Sequence, residues 1–554
     1  FSFKLTNLLI HLICGGLIYA LLRTVLRRDS RLNQRAALVA LLITAVWLLH
    51  PLQVSTVLYI VQRMAQLSTL FVLLALIAYV HGREALEQGR KRAGTVWLFL
   101  VVPTATVFGV LCKENGALAP LLCAVLELGY FRATKPASRP RTVKGFFWLG
   151  LILPVLGATI WYAWPPSRLV TSYSVRTFTL TERLLSEPRA LFDYMGALLL
   201  PRGPTLGVYT DGFPVSSGLL HPATTLWALI GLLALVALAL SARRRAPAVF
   251  TGIAFYLAAH VMESSVFPLE LYFEHRNYLP SVGFFLAVAG ALKWLFDKLP
   301  KTSPGSSQFR ILVVGAVALC AMLATATAAR AWVWQSWSTM VRQAIVHHPG
   351  SVRAQFDNLN IVWNLKSPHQ TRQLLDRLAK NSNPETRNLA VVYIVLQECR
   401  VDQSANPESV ARVAAIAGSK LQLADMQVFE QLGGYLRGHE CAGLSKIEFA
   451  NVLRKIVDTA PQPQTNTAVW RTRFMAADLY ARGGKPLEAQ RQLELTWHTG
   501  VADAAVGVLF SRVQIFNRDY TGARLTRAQL GKRIPRWNRR GQAALATIDQ
   551  LLPR

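Results

Sequence analysis

The chain has 554 residues, of which 52% are hydrophobic, a mean hydropathy of +0.30 and a formal net charge of +30. Its apolar residues fall in long blocks rather than periodic stripes, which sets aside a soluble basic protein and fits a membrane protein with basic flanks.

A bilayer core of roughly 30 Å takes about 20 helical residues to cross. In chain order, spans are predicted near 5–26, 36–49, 65–81, 95–112, 116–131, 146–164, 225–242, 248–264, 279–297 and 310–330. The fold class is therefore all-α, a bundle of ten transmembrane helices over 1–330, with no comparable apolar run after Arg330.

Lys and Arg concentrate in alternate loops. One set holds Arg27, Arg28, Arg31 and Arg35, then Arg83, Arg90, Lys91 and Arg92, then Arg132, Lys135, Arg139, Arg141 and Lys144. It continues with Arg243, Arg244 and Arg245 and ends with Lys298, Lys301 and Arg310, whereas the short loops between offer only Arg63, Lys113 and Arg276. The positive-inside rule makes the first set cytoplasmic. The segment 165–224 and everything after Arg330 then lie on the far side. So does Phe1, and because no Met precedes it, a further helix and its outer loop are expected upstream. The segment 165–224 contains TLTERLLSEPRALFDYMGALLL, an amphipathic stretch that suits either the membrane surface or packing on the bundle.

Residues 331–554 change to a soluble, helical composition, with 29 Lys+Arg against 17 Asp+Glu. The breakers HHPG, NSNP, SANPE and TAPQPQTN separate apolar-periodic segments. AADLYARGGKPLEAQRQL from Ala476 aligns with FSRVQIFNRDYTGARLTR from Phe510, which sets Ala489 and Ala523 34 residues apart. That is the period of a tetratricopeptide helix pair, and an irregular helical solenoid is the alternative. Such stacks bind partners. A basic run at the end of the chain, including Lys532, Arg533, Arg536, Arg539 and Arg540, fits a solvated face or attraction to anionic lipid heads; nucleic acid is excluded by compartment. Of the six cysteines, Cys14, Cys112, Cys123 and Cys320 fall in or beside spans. Cys399 and Cys441 lie in the outer part, where an oxidising compartment would allow them to pair.

Motifs of soluble enzymes are missing: there is no GxGxxG, P-loop, GxSxG or HExxH. What remains is charge at the non-cytoplasmic ends of the spans, where ionisable groups are costly and functional by default. The clusters are His50 with Arg63, Lys113-Glu114-Asn115, His260 with Glu263, and Glu274-His275-Arg276-Asn277-Tyr278. Taken singly, each charge fits a structural ion pair. Taken together at one end, Arg63, Lys113 and Arg276 suit the oxygens of a phosphate at the membrane surface. Glu114 and Glu274 then orient those cations or assist proton transfer, with His50, His275 and Glu263 as secondary candidates.

The stretches FKLTNLLIHLICGGLIYALL (3–22), HPLQVSTVLYIVQRMAQLSTLF (50–71), KENGALAPLL (113–122), DGFPVSSGLL (211–220) and FEHRNYLPSVGFFLA (273–287) are similar to those of GT-C polytopic glycosyltransferases. The chain resembles in particular the bacterial tetratricopeptide-containing relatives of protein O-mannosyltransferases. The resemblance implies a multi-pass protein of the bacterial inner membrane with a periplasmic C-terminal domain. It implies transfer of a sugar from a polyprenyl-phosphate donor to a protein, glycan or lipid acceptor, with inversion, the repeat domain recruiting the acceptor. It also places the principal catalytic acid in the first outer loop, upstream of Phe1, so that the residues here complete the donor site. The sequence names no cofactor, and without that loop a divalent metal is neither required nor ruled out. Two alternatives stand: a polymerase or ligase of lipid-linked glycans, and a non-enzymatic scaffold whose repeat domain recruits a partner.

Overall fold

The structure, a computed structural model, describes residues 2–131, 140–164, 173, 176–203, 206–297, 306–365, 367–499 and 503–553, with backbone alone at 163 and 306–313. These residues are helical, and no strand forms among them beyond isolated bridges. The basic loop residues Arg132, Lys135, Arg139, Lys298 and Lys301, parts of the 165–224 segment and the side chain of Arg310 lie outside the described set.

Two compact units emerge: Phe1–Leu169 with Phe178–Ala354, and Val170–Thr177 with Gln355–Arg554. The first therefore reaches past Arg330, where the composition changes. The reason is polar: Asp211 accepts hydrogen bonds from Ser351 Oγ at 2.6 Å and from Arg353 N at 3.1 Å, tying that stretch to the first unit.

Six helices of the first unit are long and apolar enough to cross a membrane: Ser2–Leu26, Ile60–Glu87, Lys91–Cys112, Arg141–Tyr162, Thr224–Ala242 and Val314–Val333. They coincide with six of the ten predicted spans. The other four differ. Ala36–Leu49 and Pro247–His260 have 14 residues each and Pro280–Phe296 has 17. At 1.5 Å per residue, 14 residues reach about 21 Å, short of a hydrocarbon core. The predicted span 116–131 is broken into a 3-10 turn Glu114–Leu118, the helix Ala119–Leu126 and a π turn Glu127–Phe131.

Burial varies widely among these helices, and Ile60–Glu87, although long, is 61% buried. Nearly every residue of Pro247–His260 is buried, whereas Val314–Val333 is only 11% buried within the protein. Leu111, Trp161, Trp227 and Leu233 point outward from the long helices. An apolar surface of this extent is unfavourable in water and favourable in lipid, so the chain is a membrane protein, and Pro247–His260 is enclosed within its bundle.

A close backbone contact in that interior is the crossing of Pro247–His260 with Pro280–Phe296. A Cβ at Gly283 would stand 2.7 Å from Gly252 O and 2.7 Å from Tyr256 N. Only glycine lets the two backbones meet, as at small-residue crossings in membranes generally.

In the second unit the sequence breakers become helix caps. Asn383 accepts from Glu385 N, Asn406 from Glu408 N and Asn466 from Ala468 N, with proline next at 384 and 407. The hairpin Thr467–Arg482 with Pro486–His498 recurs as Ala504–Phe516 with Tyr520–Arg533. Its turn repeats bond for bond at the predicted spacing. Lys485 N donates to Tyr480 O and Asp519 N to Gln514 O, both at 2.8 Å, and the left-handed residues are Gly484 (φ 78) and Arg518 (φ 63). Ala489 and Ala523 are fully buried. Cys399 and Cys441 form a disulfide.

Gly283→Ala is expected to force the crossing apart and to cost about 1–3 kcal/mol. Gly157→Ala, in a helix where nothing lies within 4 Å of the added Cβ, serves as the neutral control. Thermal unfolding of the detergent-purified variants checks the difference.

Candidate functional site

Three turns at one end of the first unit converge on Glu263. Lys113 caps the end of Lys91–Cys112 in extended conformation, Glu263 follows His260 by three residues, and Arg276 sits in the 3-10 turn Glu274–Asn277. Lys113 Nζ donates to Glu263 Oε1 at 2.6 Å, and Asn115 Nδ2 donates to the same oxygen at 3.0 Å. Arg276 Nε lies 3.8 Å from Oε2, which has no hydrogen-bond partner among the described residues. All three charged side chains are buried. Removing one member of such a group leaves an uncompensated charge, at a cost of about 3–5 kcal/mol.

The cations differ in how far they are committed. Arg276 donates to the carbonyls of Leu271, at 3.0 Å, and Glu270. Arg183, from the helix Leu180–Leu199, gathers the carbonyls of Glu263, Ser265, Leu269 and Glu270, and lies 2.8 Å from Glu187 Oε1. These two arginines shape the 263–271 loop. Among the described residues Lys113 Nζ holds the Glu263 carboxylate alone, so it is the cation an incoming anion can most readily take.

Lys113, Asn115, His275 and Arg276 line a recess with Ser68 and Thr69 of the Arg63–Glu87 helix. Its free interior of about 20 Å³ holds a water molecule and no more. A larger ligand enters only when these side chains move. Burial, followed by the nearby Lys113 charge, pushes the His275 pKa down to about 3, so its ring is neutral.

The remaining predicted residues stand elsewhere. Arg63 donates to Asn7 Oδ1 at 2.8 Å and to Phe3 O at 3.1 Å, bracing the first helix, and does not line the recess. Glu114 is exposed and enters none of the ion pairs found among the described residues. Glu274 pairs with Arg330 and accepts from Gly207 N, so it does not orient Arg276. His50 Nε2 meets Leu198 O at 3.1 Å and its Nδ1 accepts from Leu52 N at 3.2 Å, which makes it a turn brace. Glu263, a secondary candidate in the sequence, is the hub. Arg183, Glu187 and Arg330 were not read as site residues. For Arg183 and Glu187 the sequence signal is their i,i+4 spacing on the amphipathic stretch of 165–224.

Nor is buried charge confined to one end. Arg83 Nε lies 2.7 Å from Glu127 Oε2, and Tyr79 Oη donates to that oxygen at 2.8 Å. Arg83 stands 20 residues beyond Arg63 on the same helix, about 30 Å away. Arg28 and Arg83 at this second pair lie over the Phe131 ring, at 4.3 and 4.8 Å. No group of three His, Cys, Asp or Glu among the described residues is arranged to hold a metal ion. No protein-family profile, curated protein or solved structure matches the chain.

Burial raises the Glu187 carboxyl to about 7, the Arg183 charge only partly offsetting it. The folded state thus keeps a proton that the unfolded chain releases near its ordinary value of about 4.3. Stability from this group is present below that value and is lost as pH rises through about 7. Glu187→Gln should flatten the fall in melting temperature between pH 5 and pH 8. An unchanged fall would show that Glu187 ionises freely.

Proposed function

We propose that the chain is a membrane glycosyltransferase that moves a sugar from a polyprenyl-phosphate carrier to a protein, glycan or lipid acceptor. The observation that carries this reading is Lys113: a buried ammonium with a single carboxylate partner among the described residues, beside a polar recess, at the end of an apolar bundle where the phosphate of a lipid carrier lies. The motif resemblance to GT-C enzymes supports the same donor class.

The chemistry follows from exchange of partners. The donor phosphate replaces Glu263 on Lys113, forming charge-assisted hydrogen bonds of the same kind. Released from Lys113, Glu263 is the carboxylate in place to take the proton from the acceptor hydroxyl as its oxygen attacks the anomeric carbon. The new carbon–oxygen bond forms as the bond to the phosphate oxygen breaks, and polyprenyl phosphate leaves with that electron pair. One displacement inverts the anomeric centre. Arg276 and Arg183 keep the 263–271 loop in register rather than binding donor. Among the residues of this chain, proton acceptance is thereby assigned to Glu263 instead of Glu114 and Glu274, and in place of the upstream acid that the resemblance implies.

The second unit is read as a tetratricopeptide-like solenoid that presents the acceptor, supported by the 34-residue recurrence of its hairpin turn. The Cys399–Cys441 disulfide fits an oxidising compartment such as a bacterial periplasm, and the Lys and Arg asymmetry fits an inner-membrane orientation with that unit outside.

Membranes containing the full-length protein, supplied with a panel of radiolabelled polyprenyl-phosphate hexoses, provide the test. Lys113→Gln and Glu263→Gln should each reduce transfer at least about 100-fold, as loss of a proton-transfer or charge-stabilising group does. Arg63→Gln should remain within about threefold, because Arg63 lies outside the recess. Wild-type transfer by a correctly inserted Lys113→Gln protein would overturn the assignment.

A further inference from the structure

We propose that the turn between the last two helices of the second unit is a docking surface for an anionic lipid bilayer. The helix Tyr520–Arg533 ends in Lys532 and Arg533, and the helix Arg539–Leu551 begins with Arg539 and Arg540. Between them Trp537 is 83% exposed, more than any other large apolar side chain among the described residues. Lys532, Arg533, Arg536, Arg539 and Arg540 flank it in sequence and are all exposed, Arg533 lying over the Trp497 ring at 4.3 Å, and no Asp or Glu occurs between Asp519 and Asp549.

The turn is ordered by its own bonds. Asn538 N donates to Pro535 O at 3.0 Å, Asn538 Oδ1 caps Gly541 N at 3.0 Å, and Ile534 is buried beneath. An ordered turn that holds a tryptophan in water gains nothing for folding by doing so. The indole is a side chain that favours the boundary between headgroups and hydrocarbon, with its N–H wet and its rings in the apolar phase. The exposed cations that flank it in sequence supply attraction to anionic headgroups, which adds per charge and fades within a Debye length.

The occupant is identified by what the chain brings with it. Its first unit carries six helices suited to a bilayer, so a lipid surface is present at high effective concentration wherever the protein resides. A soluble polyanion would satisfy the arginines and leave Trp537 in water. Docking in this way is independent of any sugar transfer.

The full chain, reconstituted in nanodiscs of zwitterionic lipid or of zwitterionic lipid mixed with phosphatidylglycerol, provides the test. Subtracting the emission of Trp537→Phe from that of the wild type isolates the Trp537 signal. In the anionic discs at roughly 0.1 M salt that signal should shift to the blue and be quenched by brominated lipid at least about fivefold more than in zwitterionic discs; at about 1 M salt the difference should vanish. R536Q/R539Q/R540Q should abolish it while leaving the melting temperature unchanged. Equal access of aqueous iodide to Trp537 in both discs would overturn the proposal. So would protection that appears only when heparin or an oligonucleotide is added, which would make the patch a polyanion site instead.

Discussion

One buried carboxylate organises the Lys113 end of the first unit. Glu263 Oε1 receives Lys113 and Asn115 from the end of one helix, and its Oε2 faces Arg276 from the turn before another. Three chain segments far apart in sequence meet on this one group. The loop that carries it is held by the guanidinium of Arg183 on four carbonyls, an expensive device unless the position of Glu263 matters. A charge this well enclosed cannot lose its partner without gaining another. That constraint makes Lys113 and Glu263 a natural pair to be opened by a phosphate, whose oxygens replace those of the carboxylate at equal charge-assisted cost.

The bundle that presents this carboxylate solves two problems with two kinds of helix. Long, outward-facing helices such as Thr224–Ala242 and Val314–Val333 meet lipid, and short helices such as Pro247–His260 are enclosed by protein. At the Glu263 end of the bundle, His260, Glu263 and Arg276 are buried among protein partners rather than in bulk water. Backbone contact at Gly252 and Gly283 fixes the two helices that lead into and out of the 261–279 segment, and Arg183 and Arg276 then hold the loop between them through its carbonyls.

Much of this was legible in the sequence, and the limits have physical causes. Apolar blocks mark helices because a bilayer demands length, but composition does not separate a lipid-facing block from an enclosed one, so Thr224–Ala242 and Pro247–His260 read alike in the sequence. The 34-residue offset between Ala489 and Ala523 was readable because a repeat must bury the same small residue in each copy, and the turn at Gly484 and Arg518 follows it. The Cys399–Cys441 pairing was one of the options that the compartment allowed. Within the site, Lys113 and Arg276 were found because isolated cations at helix ends stand out. Their partner was misassigned because proximity in sequence favoured Glu114 and Glu274, whereas Glu263 is brought to Lys113 across 150 positions. Arg63 was placed at the correct helix end and then drawn away by Asn7 and Phe3, contacts that no sequence pattern announces. Arg83 and Glu127 likewise form their pair at the opposite end only once two helices pack, which is why charge looked confined to one side.

The account turns on Lys113 exchanging a carboxylate for a phosphate, and binding tests this more directly than turnover does. Native mass spectrometry of the detergent-solubilised full-length protein with polyprenyl phosphate, a ligand with no sugar to transfer, isolates that exchange. Glu263→Gln, which frees the ammonium, should retain the lipid phosphate more tightly than the wild type, and Lys113→Gln should lose it. Equal retention by all three proteins, or loss in Glu263→Gln, would contradict the exchange and return the Lys113–Glu263 pair to a purely structural role.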